Sequence, residues 1–466
     1  MATSDEVDPE LPNYAEIAGD TAVITSANDN PTSLISTSPW RSEFRTGLQD
    51  ETGYAWLVLR VKSRSPNAKN NLFFVEGDTI SGVVELDAGK ISSVKTVFIE
   101  VGSYLDPGAF ELLIFCKIQA GTTAVGQEEE RFLSMKESLW PSAEGDKSST
   151  KLRGENEWPF EFVLPKEVEV VSSHGKRGLY QLPPSFSERA SPAYLDYKIV
   201  VTVRRGAFHV SQKLSTTFVY QPITYPESPP TPLMRLAYSE RSPIPSPKQD
   251  SEGWKALPRL GFEGVLFGVK NVEVRVQLSL GKPLQYALGS AIPLYLEIES
   301  EDTQALDVLS IPTAAHVYLT RAMTTGSEAT AQNPERRSNN FFTVALSRGY
   351  FWSVDEPGNS QNRRTLSGEI DLEVKFKPSF VFPRLSIGYT VDFVGFEATG
   401  WNGKSRGLKG APLLSEPVKV TSRQLAGVTM RSNAPPGYQK PTVDFNKSLG
   451  YLENGNQRFL HHGGFM

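Results

Sequence analysis

Alternation of apolar and polar residues with a period of two is the feature that most constrains what this chain can fold into. The pattern runs over residues 158–164 and 197–204 in the first half of the chain, and over 272–280 and 387–393 in the second. Successive side chains of a strand point to opposite faces, so each segment has one apolar face and one wetter face. Antiparallel sheets stacked in pairs satisfy this pattern. The sequence therefore predicts an all-β fold of two tandem antiparallel, immunoglobulin-like β-sandwiches.

Breaks in this pattern divide the chain into five regions. Residues 1–53 are polar and without period, which predicts a disordered N-terminal tail. A first β domain is expected over 54–222 and a second over 258–425. Residues 223–257 between them are rich in proline, which cannot donate to a sheet ladder, so an extended linker is expected there. Residues 426–466 predict a second disordered tail.

Charge and cysteine content narrow the class of protein. The net charge of −5 argues against a nucleic-acid binder, which normally has a basic face. Cys116 is the single cysteine, which fits a reducing compartment and, within an apolar run, an inert core thiol. The first thirty residues contain neither Lys nor Arg and no apolar core, unlike a signal peptide. No apolar run reaches the ~18–20 residues of a membrane span, so we expect a cytoplasmic protein with only peripheral membrane contact.

Five short segments succeed one another in a recognisable order. They are FVEGDTISGVV at 74–84, WPFEFVLP at 158–165, LPPSF at 182–186, YKIVVTVR at 197–204 and KPLQYALGSAIP at 282–293. In order and spacing they resemble the α-arrestins, or arrestin-related trafficking adaptors, of fungi and animals. The resemblance covers residues 54 to about 421. It implies the arrestin fold, with an arrestin-like N domain and an arrestin-like C domain on either side of the linker.

A Pro-Pro-Gly-Tyr sequence in the C-terminal tail is the sharpest functional signal. It is a PPxY motif, and WW domains bind such motifs because prolines preorganise a polyproline II helix that fits an aromatic-lined groove. A weaker variant, Leu-Pro-Asn-Tyr, lies in the N-terminal tail, where a chance tripeptide is an equal alternative. The candidate WW-binding residues are Pro435, Pro436 and Tyr438 in the first motif and Leu11, Pro12 and Tyr14 in the second. Two linked weak contacts gain avidity when geometry allows both.

The resemblance implies a function for these motifs. In α-arrestins they recruit WW-domain ubiquitin ligases of the HECT class to cytoplasmic tails of membrane transporters or receptors, which are then ubiquitinated and endocytosed. We expect the same role here, with recruitment from the cytoplasm to the plasma membrane and endosomes. An arrestin-fold trafficking or scaffold protein that recruits no ligase, as in endosomal sorting, is the alternative.

Regulation and catalysis leave weaker signals. Four linker residues precede proline and are candidate phosphorylation sites, since a phosphate adds about −1.5 to −2 charges. They are Ser228, Thr231, Ser242 and Ser246. The sequence contains no P-loop, G-x-G-x-x-G, H-E-x-x-H or G-x-S-x-G signature. We therefore predict no catalytic residue, no cofactor and no metal site, and an enzyme would need dispersed acids and histidines to meet in a cleft.

Overall fold

The computed structural model describes most of the chain between residues 40 and 440. The described residues are 40–67, 71–90, 94–102, 116–123, 126–140, 152–171, 177–186, 193–205, 210–326, 329–330, 341–354, 361–404, 412–428, 430–438 and 440. They form two compact units. We call Met1–Pro222 with Thr325–Thr330 and Val381–Leu385 the N unit, and the remainder the C unit.

The N unit is built from sheets whose strands are mostly antiparallel. Its strands are β1 (Ser42–Gln49), β2 (Ala55–Ser63), β3 (Leu72–Val75), β4 (Thr79–Asp87), β5 (Val94–Gly102), β6 (Cys116–Thr123), β7 (Gly126–Arg131), β8 (Ser134–Trp140), β9 (Glu155–Val163), β10 (Glu167–Val171), β11 (Arg177–Gln181), β12 (Ala193–Arg205) and β13 (Gln212–Gln221). One sheet has the order β1-β2-β4-β9. The other has the order β3-β13-β12-β5-β8, with β6 and β7 attached beside β12, and β10 and β11 form a separate hairpin.

The period-two pattern of the N unit is confirmed by burial. On β12 the apolar set Tyr197, Ile199, Val201 and Val203 is fully buried. Full burial of an apolar side chain of this size is worth about 1.5–3 kcal/mol, so this face holds the sheet in the core. Thr202, on the opposite face of the same strand, is only 1 % exposed, so β12 is covered on both faces.

The second half of the chain repeats the same architecture. Its strands are β14 (Trp254–Ala256), β15 (Leu260–Leu266), β16 (Lys270–Gly281), β17 (Gln285–Ala287), β18 (Ala291–Glu299), β19 (Ala315–Gly326), β20 (Phe341–Arg348), β21 (Tyr350–Ser353), β22 (Arg363–Asp371), β23 (Phe380–Phe382), β24 (Arg384–Phe396), β25 (Trp401–Gly403) and β26 (Leu414–Thr421); the helices are α1 (Pro232–Glu240) and α2 (Thr303–Leu309). The two sheets have the main orders β21-β22-β18-β16-β15-β25 and β17-β26-β24-β19-β20. The molecule is therefore all-β, as the alternation predicts.

A turn of the same geometry recurs in both units. In the N unit β3 runs parallel to β13, and in the C unit β17 runs parallel to β26. Each short parallel strand is followed by a glycine with positive φ, Gly77 at 88° and Gly289 at 78°. The next residue, Asp78 or Ser290, donates its backbone N–H over 3.1 Å to a carbonyl three residues back. The chain then enters β4 or β18. This internal repeat fits two related sandwiches in tandem.

The boundary of order near the N-terminus differs from the prediction. The sequence predicts disorder over residues 1–53, yet β1 pairs with β2 from Ser42 opposite Ser63 to Leu48 opposite Leu57. The sequence of β1 is mostly polar, and its residues alternate between exposed and partly buried positions. The strand forms because the unpaired backbone at the edge of β2 offers a template for pairing, which composition does not reveal.

The prediction of an extended linker over residues 223–257 is also wrong, because this stretch contains the helix α1. Thr231 caps this helix by accepting a hydrogen bond from the N–H of Met234, and Pro232 occupies the first turn, where its missing N–H costs nothing. Met234, Ala237 and Tyr238 are buried at helical spacing. Prolines therefore mark the start of a helix here as well as the end of a sheet.

Candidate functional site

The described residues after the last strand stay packed on the C unit. Ser422 and Thr224 exchange two hydrogen bonds of 2.9 Å, from each backbone N–H to the other side-chain oxygen. The Gln424 amide then binds the backbone of Met430 twice, at 2.9 and 2.8 Å. We call the described residues of 424–440 the return segment. Their placement corrects the expectation that disorder begins at 426, because contacts remote in sequence hold them.

A buried carboxylate receives the return segment. Glu369 on β22 is 2 % exposed. It accepts hydrogen bonds from the backbone N–H of Asn433, at 2.8 Å, and from the hydroxyls of Ser432 and Tyr350. The Asn433 side chain also donates to the carbonyl of Ser242 over 2.9 Å. A buried carboxylate is stable only when hydrogen bonds replace its hydration, so Glu369 and the residues before the motif stabilise each other.

The Pro-Pro-Gly-Tyr motif itself forms a tight turn. The N–H of Tyr438 donates to the carbonyl of Pro435 over 3.0 Å, and Gly437 has a φ of 79°. Proline followed by a positive-φ glycine at the two central positions is the signature of a type II turn. Pro435 and Pro436 are exposed, whereas Tyr438 is partly buried.

Tyr438 packs against the short strand β21. Its ring stacks on Tyr350 with centroids 5.6 Å apart and an angle of 20°, and it meets the edge of Trp352 at 5.8 Å. Its hydroxyl donates to the carbonyl of Phe351 over 2.7 Å. Burial raises the pKa of the Tyr438 hydroxyl above its ordinary value, so this group stays a proton donor.

A salt bridge closes the contact on the far side of the motif. The Nζ atom of Lys440 lies 2.7 and 2.8 Å from the two carboxylate oxygens of Asp371, and 4.7 Å from the centroid of the Tyr350 ring. We call Tyr350, Trp352, Glu369 and Asp371 the cradle. Burial, and then the hydrogen bond and charge of Glu369, raise the pKa of Tyr350. That shift keeps the Tyr350 hydroxyl protonated as a donor to Glu369.

The four candidate phosphorylation residues differ in accessibility. Ser228 is exposed, and Ser242 is partly buried. Thr231 caps α1 and donates its hydroxyl to Asp250. Ser246 is 4 % exposed, so a kinase could reach it only after local opening. Phosphorylation stays a prediction at all four positions, with Ser228 the most accessible.

Other residues singled out by the sequence fall outside the part of the chain that the structure describes. Leu11, Pro12 and Tyr14 lie outside the described residues, as does the side chain of Cys116. The cradle residues could not be predicted from the sequence. Glu369 lies within the strand pattern of β22, and nothing in that pattern indicates that its carboxylate binds a segment 64 residues away.

Metal binding and membrane insertion find no support in the part of the chain that the structure describes. No three of its His, Cys, Asp and Glu side chains are grouped so that they could hold a metal ion. None of the helices within the same residues has the length and apolar character to cross a membrane. A polar cleft beside Lys270 and Arg275 has its cations paired, Lys270 with Asp302 and Arg275 with Glu273. These pairs fit an ordinary charged surface.

Fold and site together define a class of all-β protein with two sandwich units and a Pro-Pro-Gly-Tyr sequence packed on one of them. Residues 66–225 match the family model described as Arrestin (or S-antigen), N-terminal domain. The match spans β3 to β13, so this part of the chain is similar to an arrestin N-terminal domain. A search of curated proteins finds no match to the chain.

Proposed function

We propose that this protein is an α-arrestin-type adaptor. It recruits a WW-domain ubiquitin ligase of the HECT class to cytoplasmic tails of membrane transporters or receptors, and so promotes their ubiquitination and endocytosis. The observation that carries the proposal is a Pro-Pro-Gly-Tyr motif, with both prolines exposed, in a chain whose residues 66–225 match an arrestin N-terminal domain. Under this proposal the protein moves from the cytoplasm to the plasma membrane and endosomes.

The position of the motif supports this role. Strand β26 ends at Thr421, so Pro435 comes 14 residues after the last strand of the C unit. α-Arrestins typically carry their PPxY motifs just after the C domain. The exposed rings of Pro435 and Pro436 are the groups that dock on the aromatic groove of a WW domain.

A pulldown with the WW domains of a HECT ligase tests the proposal. Tyr438→Ala should remove most of the binding, and the double variant with Tyr14→Ala should remove what remains. Tyr225→Ala is a matched control, because Tyr225 is 50 % exposed and belongs to neither motif. Binding that survives in the double variant would show that the motifs recruit no ligase.

Proximity labelling in cells extends this test to the partners. The wild-type chain should label both a HECT ligase and a transporter or receptor. The Tyr438→Ala variant should lose the ligase and keep the cargo, since the motif and the cargo surface are separate parts of an adaptor. Loss of neither partner would argue against the adaptor role of the motif.

A second candidate is an arrestin-fold trafficking or scaffold protein that recruits no ligase. The packing of Tyr438 on its own sheet favours it, because a tyrosine in this position serves the stability of the C unit. Under this alternative, cargo sorting in cells is unchanged when both motif tyrosines are replaced.

A further inference from the structure

We infer that the cradle is an internal docking site for the chain's own Pro-Pro-Gly-Tyr motif, and that docking there competes with binding of a WW domain. The competition rests on the proposed function, whereas the docking does not.

The cradle supplies the chemistry that a WW domain would supply. An aromatic-lined groove is the surface that a WW domain offers to a proline-rich ligand. Tyr350 stacks on the Tyr438 ring and Trp352 meets it edge to face. The same tyrosine face cannot contact these two rings and a partner's groove at once, so the two occupancies exclude each other.

The docked conformation of the motif also differs from the bound one. A polyproline II helix has no internal hydrogen bond. Here the Tyr438 N–H is bonded to the Pro435 carbonyl across the turn, and the Tyr438 hydroxyl is bonded to Phe351. A WW domain that takes an extended motif must first open this turn and break the hydroxyl contact.

Anchors on both sides of the motif keep the tyrosine in place. Before it, Ser432 and Asn433 bind the buried Glu369. After it, Lys440 binds Asp371 through both carboxylate oxygens. A segment held at two points loses little further freedom when the ring between them docks, so the three contacts support one another.

The exposed prolines give the competition a direction. Pro435 and Pro436 remain accessible while Tyr438 is held, so a WW domain can meet the prolines but gains its tyrosine contact only after release. When a motif is free for about a tenth of the time, its apparent affinity falls about tenfold. Docking therefore sets a threshold for ligase recruitment without any change in the motif's sequence.

The hydroxyl of Ser432 offers a route of release. It donates to the buried carboxylate of Glu369. A negative group at this position would lie beside the carboxylate of Glu369 and could not donate to it, so the anchor before the motif would be weakened. Ser432→Glu should therefore free the motif, whereas Ser432→Ala removes only the bond to Glu369 and a long one of 3.5 Å from the N–H of Ala434.

The first experiment measures the affinity of one WW domain for the full-length chain and for a synthetic peptide of residues 430–444. All chains carry Tyr14→Ala, so that a single motif is measured. We expect the full chain to bind at least about fivefold more weakly than the peptide. Trp352→Ala, Glu369→Gln and Ser432→Glu should each bring the chain toward the peptide. A peptide carrying Ser432→Glu corrects for any direct effect on the WW domain.

Controls separate release from unfolding. Phe267→Ala replaces an aromatic residue elsewhere in the C unit, 54 % exposed, and should leave the affinity unchanged. Lys440→Ala changes an exposed side chain and cannot open the core. It therefore replaces Trp352→Ala as the variant that releases the motif if Trp352→Ala fails to fold. Equal affinity of chain and peptide would overturn the competition while leaving ligase recruitment intact.

Hydrogen exchange tests docking without any partner. The amides of Asn433 and Tyr438 should be protected in the wild-type chain, because both donate hydrogen bonds, and Glu369→Gln should expose them. Exchange as fast as in the free peptide would overturn the docking site. A protected segment whose peptide binds no WW domain would confirm docking, refute competition and refute the proposed ligase recruitment.

Discussion

The two units build the same turn but lock it with different side chains. In the N unit, buried Asp78 accepts two hydrogen bonds of 2.6 Å from Arg64 and one of 2.9 Å from the N–H of Val75. In the C unit, Ser290 only donates its hydroxyl to the carbonyl of Ala287 over 2.7 Å. The shared requirement is the backbone, a parallel strand followed by a positive-φ glycine. The side chain that secures it can differ.

The units also differ in the path of the chain after their last strand. In the N unit β13 ends at Gln221 and its last residue pairs with Val75 of β3. In the C unit β26 is succeeded by the return segment, which packs on β21 and β22 of the same unit. An edge strand covered in this way is protected from unwanted pairing. The C unit thus covers this edge with a segment that contains the Pro-Pro-Gly-Tyr sequence.

The largest expected effect comes from removing the side chains that secure the repeated turn, Asp78 in the N unit and Ser290 in the C unit. Asp78→Ala should lower the free energy of unfolding of the N unit by about 3 kcal/mol, because it leaves Arg64 and a buried N–H without their acceptor. Ser290→Ala should cost the C unit about 1 kcal/mol, the worth of one ordinary hydrogen bond. Hydrogen exchange of β4 and β18 measures each unit separately. Equal losses of unfolding free energy in the two variants would contradict the expected difference between Asp78 and Ser290.

A pH effect should belong to the C unit. Burial, reinforced by Arg348 and opposed by Glu397, lowers the pKa of His316 from 6.5 to about 4. The nearby hydroxyl of Tyr318 lies 3.1 Å from its ring. Below pH 6.5 the unfolded chain takes up a proton that the folded unit refuses until about pH 4. Stability should therefore fall by about 1–3 kcal/mol as pH drops through this window.

His316→Asn should flatten this part of the pH dependence, measured as the difference between wild type and variant in denaturant unfolding. Among the sequence's five histidines, His316 alone lies within the described residues. Exchange of N-unit strands should show no matching change in the variant. An unchanged wild-type slope in the variant would mean that other groups produce it.

The glycines of the repeated turn provide a smaller and finer comparison. Alanine at a positive φ costs about 1–2 kcal/mol. At Gly77 an added Cβ meets nothing within 4 Å, so Gly77→Ala should cost only this strain. At Gly289 the Cβ would lie 3.0 Å from Val374, so Gly289→Ala should cost more. Thermal unfolding of both variants measures the two losses of stability. A larger loss in Gly77→Ala than in Gly289→Ala would contradict the steric argument.

The smallest expected effect concerns the return segment. Tyr438→Phe removes the hydroxyl bond to Phe351 and keeps the stacked ring, so docking should weaken by about 0.5–1.5 kcal/mol. Faster exchange at the amides of Asn433 and Tyr438, with no change in N-unit strands, is the measurement. Unaltered exchange would show that the hydroxyl bond adds nothing to docking.

Much of the architecture can be predicted from the sequence, because a strand that buries one face shows alternating apolar and polar residues. The alternation at 197–204 and 272–280 predicts β12 and β16. The polar strand β1 and the helix α1 are not predicted by the same pattern. Their formation depends on a neighbouring strand edge and on a capped first turn, and both signals are weak beside polar composition and proline content.

By itself, the sequence determined the all-β class and the presence of a Pro-Pro-Gly-Tyr motif, since both depend on residue type and local spacing. Only the tertiary structure decided where that motif lies. Tyr438 bonds to Phe351 across 87 positions, and Asn433 to Glu369 across 64. Whether an aromatic ring is free or held depends on partners brought near by folding. Local pattern reveals the Pro-Pro-Gly-Tyr sequence, and long-range packing sets the accessibility of its tyrosine.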